Sequence, residues 1–195
     1  MLETLQRWDV ALFRHLNEAW SSKVLDVFFS FVTQPRNWGI PAGLLVLALI
    51  FKGGRRGRVA LAALLLAVGL TDPLGARILK PAFHRVRPCN ALTDVRLPMG
   101  KSSAYSFPSL HAANQGAMMT VLSLAYPPGA PFFVAIALGV GMSRVYLGLH
   151  YPSDVLGGFL MGSLIGFLVW KSAASWLVRA SRKKVVPATR PKKGK

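Results

Sequence analysis

The sequence predicts an all-α fold, an integral-membrane bundle of about six transmembrane helices with an amphipathic N-terminal helix in front of it. Hydrophobic residues make up 52% of the 195 residues and only 16% are charged, so the mean hydropathy is +0.40. The apolar residues also fall in long blocks, which is typical of a multi-span membrane protein. We expect one membrane-embedded domain over residues 21–178, between the N-terminal helix (1–20) and a basic tail (179–195).

The first twenty residues have the pattern of a surface helix. Apolar side chains in residues 3–20 recur at steps of three and four, between charged residues such as Arg7, Arg14 and Glu18. This spacing predicts an amphipathic helix that lies on the membrane rather than crossing it. Because the N-terminus lacks a basic head followed by an apolar core, we expect no cleavable signal peptide.

Residues 24–34 are the shortest of the expected spans. They are apolar except for Asp26, yet this length is small for crossing a bilayer. A short, tilted span and a re-entrant element both fit this segment, and we favour the span. The other spans are expected at 38–51, at 59–79, on either side of a proline-rich turn (126–131) within 102–143, and at 155–177.

Two basic clusters predict the orientation of the bundle. Residues 52–58 form a loop rich in Gly and Arg, and residues 179–195 carry eight basic and no acidic side chains. The positive-inside rule assigns both to the cytoplasm. The loop at 80–106 and the segment at 144–154 then lie on the external face, which in a bacterial inner membrane is the periplasmic or extracellular side.

The charge balance supports a membrane protein rather than a nucleic-acid-binding one. The formal net charge is +17, from 24 Lys and Arg against 7 Asp and Glu. These basic residues cluster at span ends and in the tail, which favours membrane topology and anionic lipid. We therefore expect no nucleic-acid partner, and a disordered tail held near anionic headgroups. The single cysteine, Cys89, excludes an intramolecular disulfide and argues against a cysteine-based zinc site.

Two charged residues, Asp72 and Arg77, fall in the second half of the span at 59–79. Charges at membrane depth are costly and usually face a bundle interior or a functional site. A mutual ion pair near the interface is the alternative, and the sequence leaves both interpretations open.

The segment from Ser143 to Asp154 concentrates polar chemistry between two apolar runs. His150 and Asp154 are four residues apart, with Pro152 where the first turn of a helix tolerates it. We interpret this as a helix end, a turn and a helix start, which lets Asp154 reach back to His150. The carboxylate would then fix one ring nitrogen as a donor and leave the other free as base, nucleophile or ligand. A capping Asp beside an interfacial His is the alternative.

The external loop brings further polar residues to the same face. Basic side chains there run against the positive-inside tendency, and an anionic substrate would account for them. Ser109, near the start of a helix, adds a hydroxyl and backbone N–H groups. Of His111 and His150, one would attack phosphorus while the other protonates the leaving oxygen. The fixed cations, which would bind phosphate oxygens, are Lys80, Arg87 and Arg144. Each residue taken singly has an alternative interpretation. A basic side chain in the loop could contact lipid headgroups, and His111 could be a polar residue at a helix start.

Together these segments resemble the three-part signature of the type-2 phosphatidate phosphatase superfamily over about residues 55–175. The matching residues are Lys80 with six residues before Arg87-Pro88, Pro108-Ser109-Leu110-His111, and Ser143-Arg144 with five residues before His150 and three more before Asp154. The resemblance implies a six-helix membrane bundle that removes phosphate from lipid phosphates or diphosphates without a metal or cofactor. It also implies that His150 is the nucleophile that forms a phosphohistidine, Asp154 orients it and His111 is the general acid. The implied phosphate-binding residues are Lys80, Arg87, Ser109 and Arg144.

Leu110 departs from the family pattern, which usually has Gly between the Ser and the His of the middle motif. Leu110 keeps the backbone N–H, so it can still bind phosphate if it is helical. Its side chain would narrow the substrate entrance or make it more apolar. We therefore expect an effect on substrate choice more than on activity. His84 and Arg85 fall outside the signature, and we interpret them as accessory headgroup contacts.

The sequence thus predicts an integral-membrane lipid phosphatase acting at the external leaflet, with undecaprenyl diphosphate as the favoured substrate. Phosphatidylglycerophosphate, phosphatidate and lipid A 1-phosphate stay open. A non-catalytic lipid-phosphate binder or transporter is the alternative of another class, disfavoured because a pure binder needs no His paired to a carboxylate. A haloperoxidase that holds vanadate in a similar constellation is disfavoured by the spans. The sequence gives no indication of oligomeric state.

Overall fold

The computed structural model describes residues 2–102 and 105–185, and this part of the chain contains helices but no β-strand. Its α-helices are α1 (Leu2–Arg14), α2 (Lys23–Thr33), α3 (Gly39–Leu47), α4 (Gly54–Pro73), α5 (Lys80–Phe83), α6 (Pro88–Ala91), α7 (Leu110–Ala125), α8 (Ala130–Tyr146) and α9 (Pro152–Val185). Wider π-helical turns at His15–Ala19, Ala48–Lys52 and Leu74–Leu79 extend α1, α3 and α4. Short 3₁₀ turns at Pro35–Trp38 and Pro127–Gly129 lead into α3 and α8.

Three stretches of the described residues are long and apolar enough to cross a membrane: Gly54–Ala91, Pro127–Tyr146 and Pro152–Arg179. The other helices at predicted spans, α2, α3 and α7, are shorter than these. Large apolar side chains nevertheless cover outward faces of several helices, as a lipid environment requires. Exposed examples are Ile40, Leu44, Leu65, Leu160 and Leu164. The all-α membrane fold is therefore confirmed, while the count of six spans and the surface placement of α1 stay predictions.

Small residues set the packing at the centre of the bundle, where α4, α7 and α9 meet around buried alanines such as Ala63, Ala67 and Ala117. Gly158, Gly162 and Gly166 recur every four residues along α9 and face α7. A Cβ atom on Gly162 would fall well inside contact with the backbone carbonyl of Ala113, and one on Gly166 would lie 2.8 Å from that of Ala117. Such stripes of small residues let two helix backbones approach closely.

We expect Gly162→Ala to destabilise the protein by about 1–3 kcal/mol, because the added methyl group has no room beside the α7 backbone. Gly69→Ala in α4 is the matched control, since a Cβ atom there meets nothing within 4 Å. Thermal unfolding of both variants in the same detergent checks this. Equal midpoints for the two variants would contradict the close approach of α7 and α9.

The loop after α6 is tied to three helices by Arg96. Its guanidinium binds both carboxylate oxygens of Asp26 in α2, at 3.0 and 2.9 Å. It also donates to the Asn17 carbonyl at 3.1 Å. The Tyr146 hydroxyl at the end of α8 donates to the same Asp26 carboxylate at 2.7 Å. Asp26, the one charge in the short apolar segment at 24–34, therefore clamps this end of the bundle.

The boundary of the basic tail differs from the prediction. Helix α9 continues to Val185, so residues 179–185 are helical and not the start of a disordered tail. After Gly166 the sequence has no glycine or proline before Pro187, so no common helix stop signal falls between them. Residues 186–195, for which we predicted a disordered tail near anionic headgroups, lie outside the described residues.

Candidate active site

Three separate segments meet around one cavity at the end of the bundle where α4 ends and α7 and α9 begin. The cavity has a volume of about 630 Å³. The residues that the sequence predicted for the site and that line it are Lys80, Arg87, Leu110, His111, Arg144 and His150. Segments that are far apart in the sequence are therefore brought to one place, in the combination that the spacing of the motifs predicted.

The turn between α8 and α9 positions His150. Helix α8 ends at Tyr146, and Gly148 adopts a left-handed conformation with φ 80°. A side chain at that position would also collide with the Arg96 carbonyl, so glycine is required there. The backbone N–H groups of Leu149 and His150 both donate to the Arg144 carbonyl at 3.1 Å. The turn therefore holds His150, which is 2% exposed, close to the end of α8.

Asp154 stands in the first turn of α9, where its carboxylate contacts both the backbone of the turn and the His150 ring. Its Oδ2 atom accepts a hydrogen bond from the Tyr151 N–H at 2.8 Å, which is the capping contact. The same atom lies 3.5 Å from His150 Nδ1, an electrostatic contact that is long for a strong hydrogen bond. The carboxylate is fully buried and also binds the Ser106 hydroxyl.

The other imidazole nitrogen of His150 faces Arg87. Nε2 lies 2.9 Å from Arg87 Nη1, which also donates to the Leu149 carbonyl at 2.8 Å. Because a guanidinium only donates, we assign Nε2 as the acceptor and Nδ1 as the protonated nitrogen that faces Asp154. Burial lowers the pKa of His150; Asp154 opposes this effect and the charges of Arg87 and Arg144 add to it. The ring is therefore neutral, with its lone pair on the nitrogen nearer the cations.

The remaining predicted cations are held by neutral oxygen atoms. Lys80 Nζ donates to the Tyr105 carbonyl, and Arg144 Nη1 donates to the Thr33 hydroxyl at 2.7 Å. Arg144 Nε is buried and makes no hydrogen bond with another described group. These cations therefore keep their charge uncompensated by a directly bonded carboxylate, which is the electrostatic condition for binding an anion.

The start of α7 supplies the predicted hydroxyl and the second imidazole. Ser109 immediately precedes the helix, its N–H donates to the Asp154 carbonyl at 3.0 Å, and its Oγ is buried without a partner among the described residues. His111 is the second residue of α7 and lines the cavity. Leu110 is helical and reaches the cavity as expected, and its side chain packs so closely over Gly75 that a Cβ there would overlap it.

The two accessory residues have different surroundings: His84 is exposed and Arg85 is half-buried. His84 ends the helix that carries Lys80, with a left-handed φ of 47° and its ring edge-on to Tyr105. Arg85 is engaged inside the protein, where it donates to Asp154 Oδ1 at 2.6 Å. Neither residue is among those that line the cavity.

Asp72 also lines the cavity. Its carboxylate accepts a hydrogen bond from Asn114 Nδ2 at 3.0 Å. No ion pair joins Asp72 to Arg77 among the described residues. Of the two interpretations that the sequence left open, the structure supports the one in which Asp72 faces a candidate functional site, since this exposed residue lines the cavity.

Several residues of the site were not predicted. Ser106 and Asp9 contact Asp154 and Arg85 respectively, Thr33 holds Arg144, and the Tyr105 carbonyl holds Lys80. Ser106 lies three residues before Ser109, and its polar character at the edge of the motif was the one available signal. Asp9, in contrast, lies about seventy residues from the first motif, and no local pattern connects it to the site.

Known proteins share this arrangement of segments. The model of the PAP2 superfamily matches residues 56–176. Phosphatidylglycerophosphatase B of Bacillus subtilis (strain 168) is 39% identical over 117 residues, 54% of this chain and 55% of that protein, so the chain spans about half the length of this relative. Undecaprenyl-diphosphatase of Sulfolobus acidocaldarius is 33% identical over 165 residues, 83% of this chain and 76% of that protein.

The fold has a counterpart among solved structures as well. The crystal structure of the first transmembrane PAP2 type phosphatidylglycerolphosphate phosphatase from Bacillus subtilis superimposes with a TM-score of 0.66 at 25% identity, over 96% of this chain and 90% of that chain. The family match covers more than half of the sequence and includes all three motif segments. The resemblance inferred from those segments is confirmed: the chain belongs to the PAP2 superfamily.

Proposed function

We propose that the protein is a metal-independent membrane lipid phosphatase that works through a phosphohistidine at His150. The observation that carries this proposal is the buried, neutral imidazole whose Nε2 lies 2.9 Å from Arg87 Nη1 in a cavity with two further cations. A neutral nitrogen nucleophile beside groups that bind phosphate oxygens is what in-line attack on phosphorus requires. The buried, unpartnered Ser109 Oγ and Arg144 Nε are additional donors for the same oxygens.

The proposed reaction has two steps. In the first, His150 Nε2 forms a bond to phosphorus, the bond from phosphorus to the leaving oxygen breaks, and His111 gives that oxygen its proton. In the second, His111 takes a proton from water, the water oxygen bonds to phosphorus, and the bond to His150 breaks. Asp154 stabilises the positive charge that the ring acquires, and Lys80, Arg87 and Arg144 stabilise the charge on the phosphoryl oxygens.

The membrane placement belongs to this proposal. We infer that α2, α3 and α7 complete six spans with the three longer stretches, that α1 lies at the interface, and that the cavity opens on the periplasmic or extracellular side of a bacterial inner membrane. The basic loop at 52–58 and the basic end of the chain support a cytoplasmic C-terminus near anionic headgroups. The substrate would then reach the cavity from the outer leaflet.

Undecaprenyl diphosphate is the substrate that we favour. Three cations around the cavity suit a group with more than one negative charge, and the Sulfolobus relative carries the name of an undecaprenyl-diphosphatase. The Bacillus relative is named as a phosphatidylglycerophosphatase, so phosphatidylglycerophosphate is the next candidate. Phosphatidate and lipid A 1-phosphate complete the panel to be tested.

The test is phosphate release by detergent-purified protein in EDTA across this panel of lipids. We expect turnover that EDTA does not reduce, because protein cations rather than a metal ion stabilise the transferred group, and the highest kcat/KM for undecaprenyl diphosphate. Loss of activity in EDTA that Mg²⁺ restores would contradict the mechanism. A folded protein without turnover on any lipid would instead favour a binding protein.

A further inference from the structure

Arg85 joins two carboxylates from opposite ends of the chain. Its Nη1 atom donates to Asp154 Oδ1 at 2.6 Å, and its Nη2 atom lies 2.5 Å from Asp9 Oδ2. The guanidinium also lies 4.2 Å from the centre of the Tyr151 ring. Asp154 and Asp9 are 0% and 9% exposed and the Arg85 side chain is 26% exposed, so water screens these charges only in part.

Asp9 has a second contact, with the start of α9. Its Oδ1 atom accepts a hydrogen bond from the Ser153 N–H at 2.9 Å, and its Oδ2 atom accepts one from the Ser153 hydroxyl at 2.5 Å. Ser153 Oγ in turn accepts from Arg85 Nη1 at 2.6 Å. The carboxylate of α1 thus caps the helix whose first turn carries Asp154, where a negative charge is favourable.

We propose that Asp9 and Arg85 are positioning residues of the active site, which hold Asp154 against His150 and set how strongly that carboxylate stabilises the imidazolium. The chain Asp9–Arg85–Asp154–His150 makes α1 part of the catalytic apparatus rather than only a membrane anchor. This inference rests on the proposed function, because it concerns the same nucleophile.

The direction of the electrostatic effect follows from the order of charges. The positive charge of Arg85 offsets part of the effect of the Asp154 carboxylate on His150, and the negative charge of Asp9 offsets part of the effect of Arg85. Removing the Asp9 charge therefore disfavours protonated His150, and removing the Arg85 charge favours it. The other charged or titratable groups that face the pair are Arg87, Arg144, Lys80, His111 and Tyr151. They are the same in both variants, so the opposite signs isolate Asp9 and Arg85.

The experiment compares the pH dependence of kcat/KM for wild type, Asp9→Asn and Arg85→Gln with one lipid phosphate. The acidic limb, which includes protonation of the nucleophile, should move to lower pH in Asp9→Asn and to higher pH in Arg85→Gln, each by about half a unit or more. We expect kcat to fall about tenfold in both variants with little change in KM, because neither residue lines the cavity.

Two further variants separate charge from packing. Glu3→Gln removes one negative charge from an exposed position of α1 and should leave both kcat and the pH limb unchanged. Ser153→Ala removes hydroxyl contacts of Asp9 and Arg85 without changing charge, so it should lower kcat and leave the limb where it is. Should Asp9→Asn fail to fold, Arg85→Gln should still move the acidic limb to higher pH while Ser153→Ala leaves it in place.

The positioning role would be overturned if the acidic limb of the pH profile stayed in place in both Asp9→Asn and Arg85→Gln, or moved in the same direction in both. A rise in KM in step with the fall in kcat would do the same, since it would indicate general loosening of the site. Wild-type protein that releases no phosphate from any lipid would overturn the proposed function itself, and the two failures are therefore distinguishable.

Discussion

His150→Ala should lose phosphatase activity by about 10⁴-fold or more, because the variant lacks the nitrogen that attacks phosphorus. Arg87, whose Nη1 lies 2.9 Å from His150 Nε2, cannot replace that nitrogen as the nucleophile, because a guanidinium only donates. The measurement is phosphate release, together with trapping of ³²P on the protein from a labelled lipid phosphate. Wild type should carry an acid-labile, alkali-stable label, and the variant none.

The matched control for this variant is His15→Ala. His15 is exposed and its ring contacts Trp20 in the turn that follows α1, so the change removes an imidazole of the same size outside the cavity. We expect full activity and full labelling. Label that persists in His150→Ala, or turnover within tenfold of wild type, would contradict the assignment of His150 as nucleophile.

Arg144→Ala should lower kcat/KM by about 10²–10³-fold, the loss seen when one preorganised donor to a transition-state oxygen is removed. Arg144 is 8% exposed, is anchored to Thr33 through Nη1 at 2.7 Å and has a buried Nε without a partner among the described residues. Its guanidinium is therefore held in place before substrate binds, which makes its contribution large. Arg144→Lys keeps the charge but not the planar fork, and we expect about a tenfold loss.

Arg14→Ala is the control for loss of an arginine. Arg14 pairs with Glu18 at 2.9 Å with 39% of its side chain exposed, a surface pair of small energetic value. Steady-state kinetics on one lipid should leave this variant like wild type. If Arg144→Ala raised KM while kcat remained unchanged, the side chain would bind the ground state and transition state equally and would not contribute to the chemical step.

The residues to which we assign the chemistry could be identified from the sequence because they lie in short segments. Pro152 and the four-residue step from His150 to Asp154 define a helix start, so local geometry alone brought the carboxylate near the imidazole. The proposed external position of the basic loop residues rests on the charges at 52–58 and beyond 179, which act on topology rather than on a particular contact. These features are local or summed over many residues, and one sequence is sufficient to detect them.

Tertiary structure alone decided which groups surround those residues. The contact of Asp9 with Arg85, and those of Thr33 with Arg144 and Arg96 with Asp26, join positions about seventy or more residues apart. Each depends on how the helices pack and on where the loops between them are held, and that packing includes close backbone approaches such as Gly162 against Ala113. Periodicity specifies the face of one helix but not which face of another it meets. For this reason Arg85, which we interpreted from the sequence as an accessory headgroup contact, is a half-buried residue that donates to the buried carboxylate of Asp154 in the folded protein.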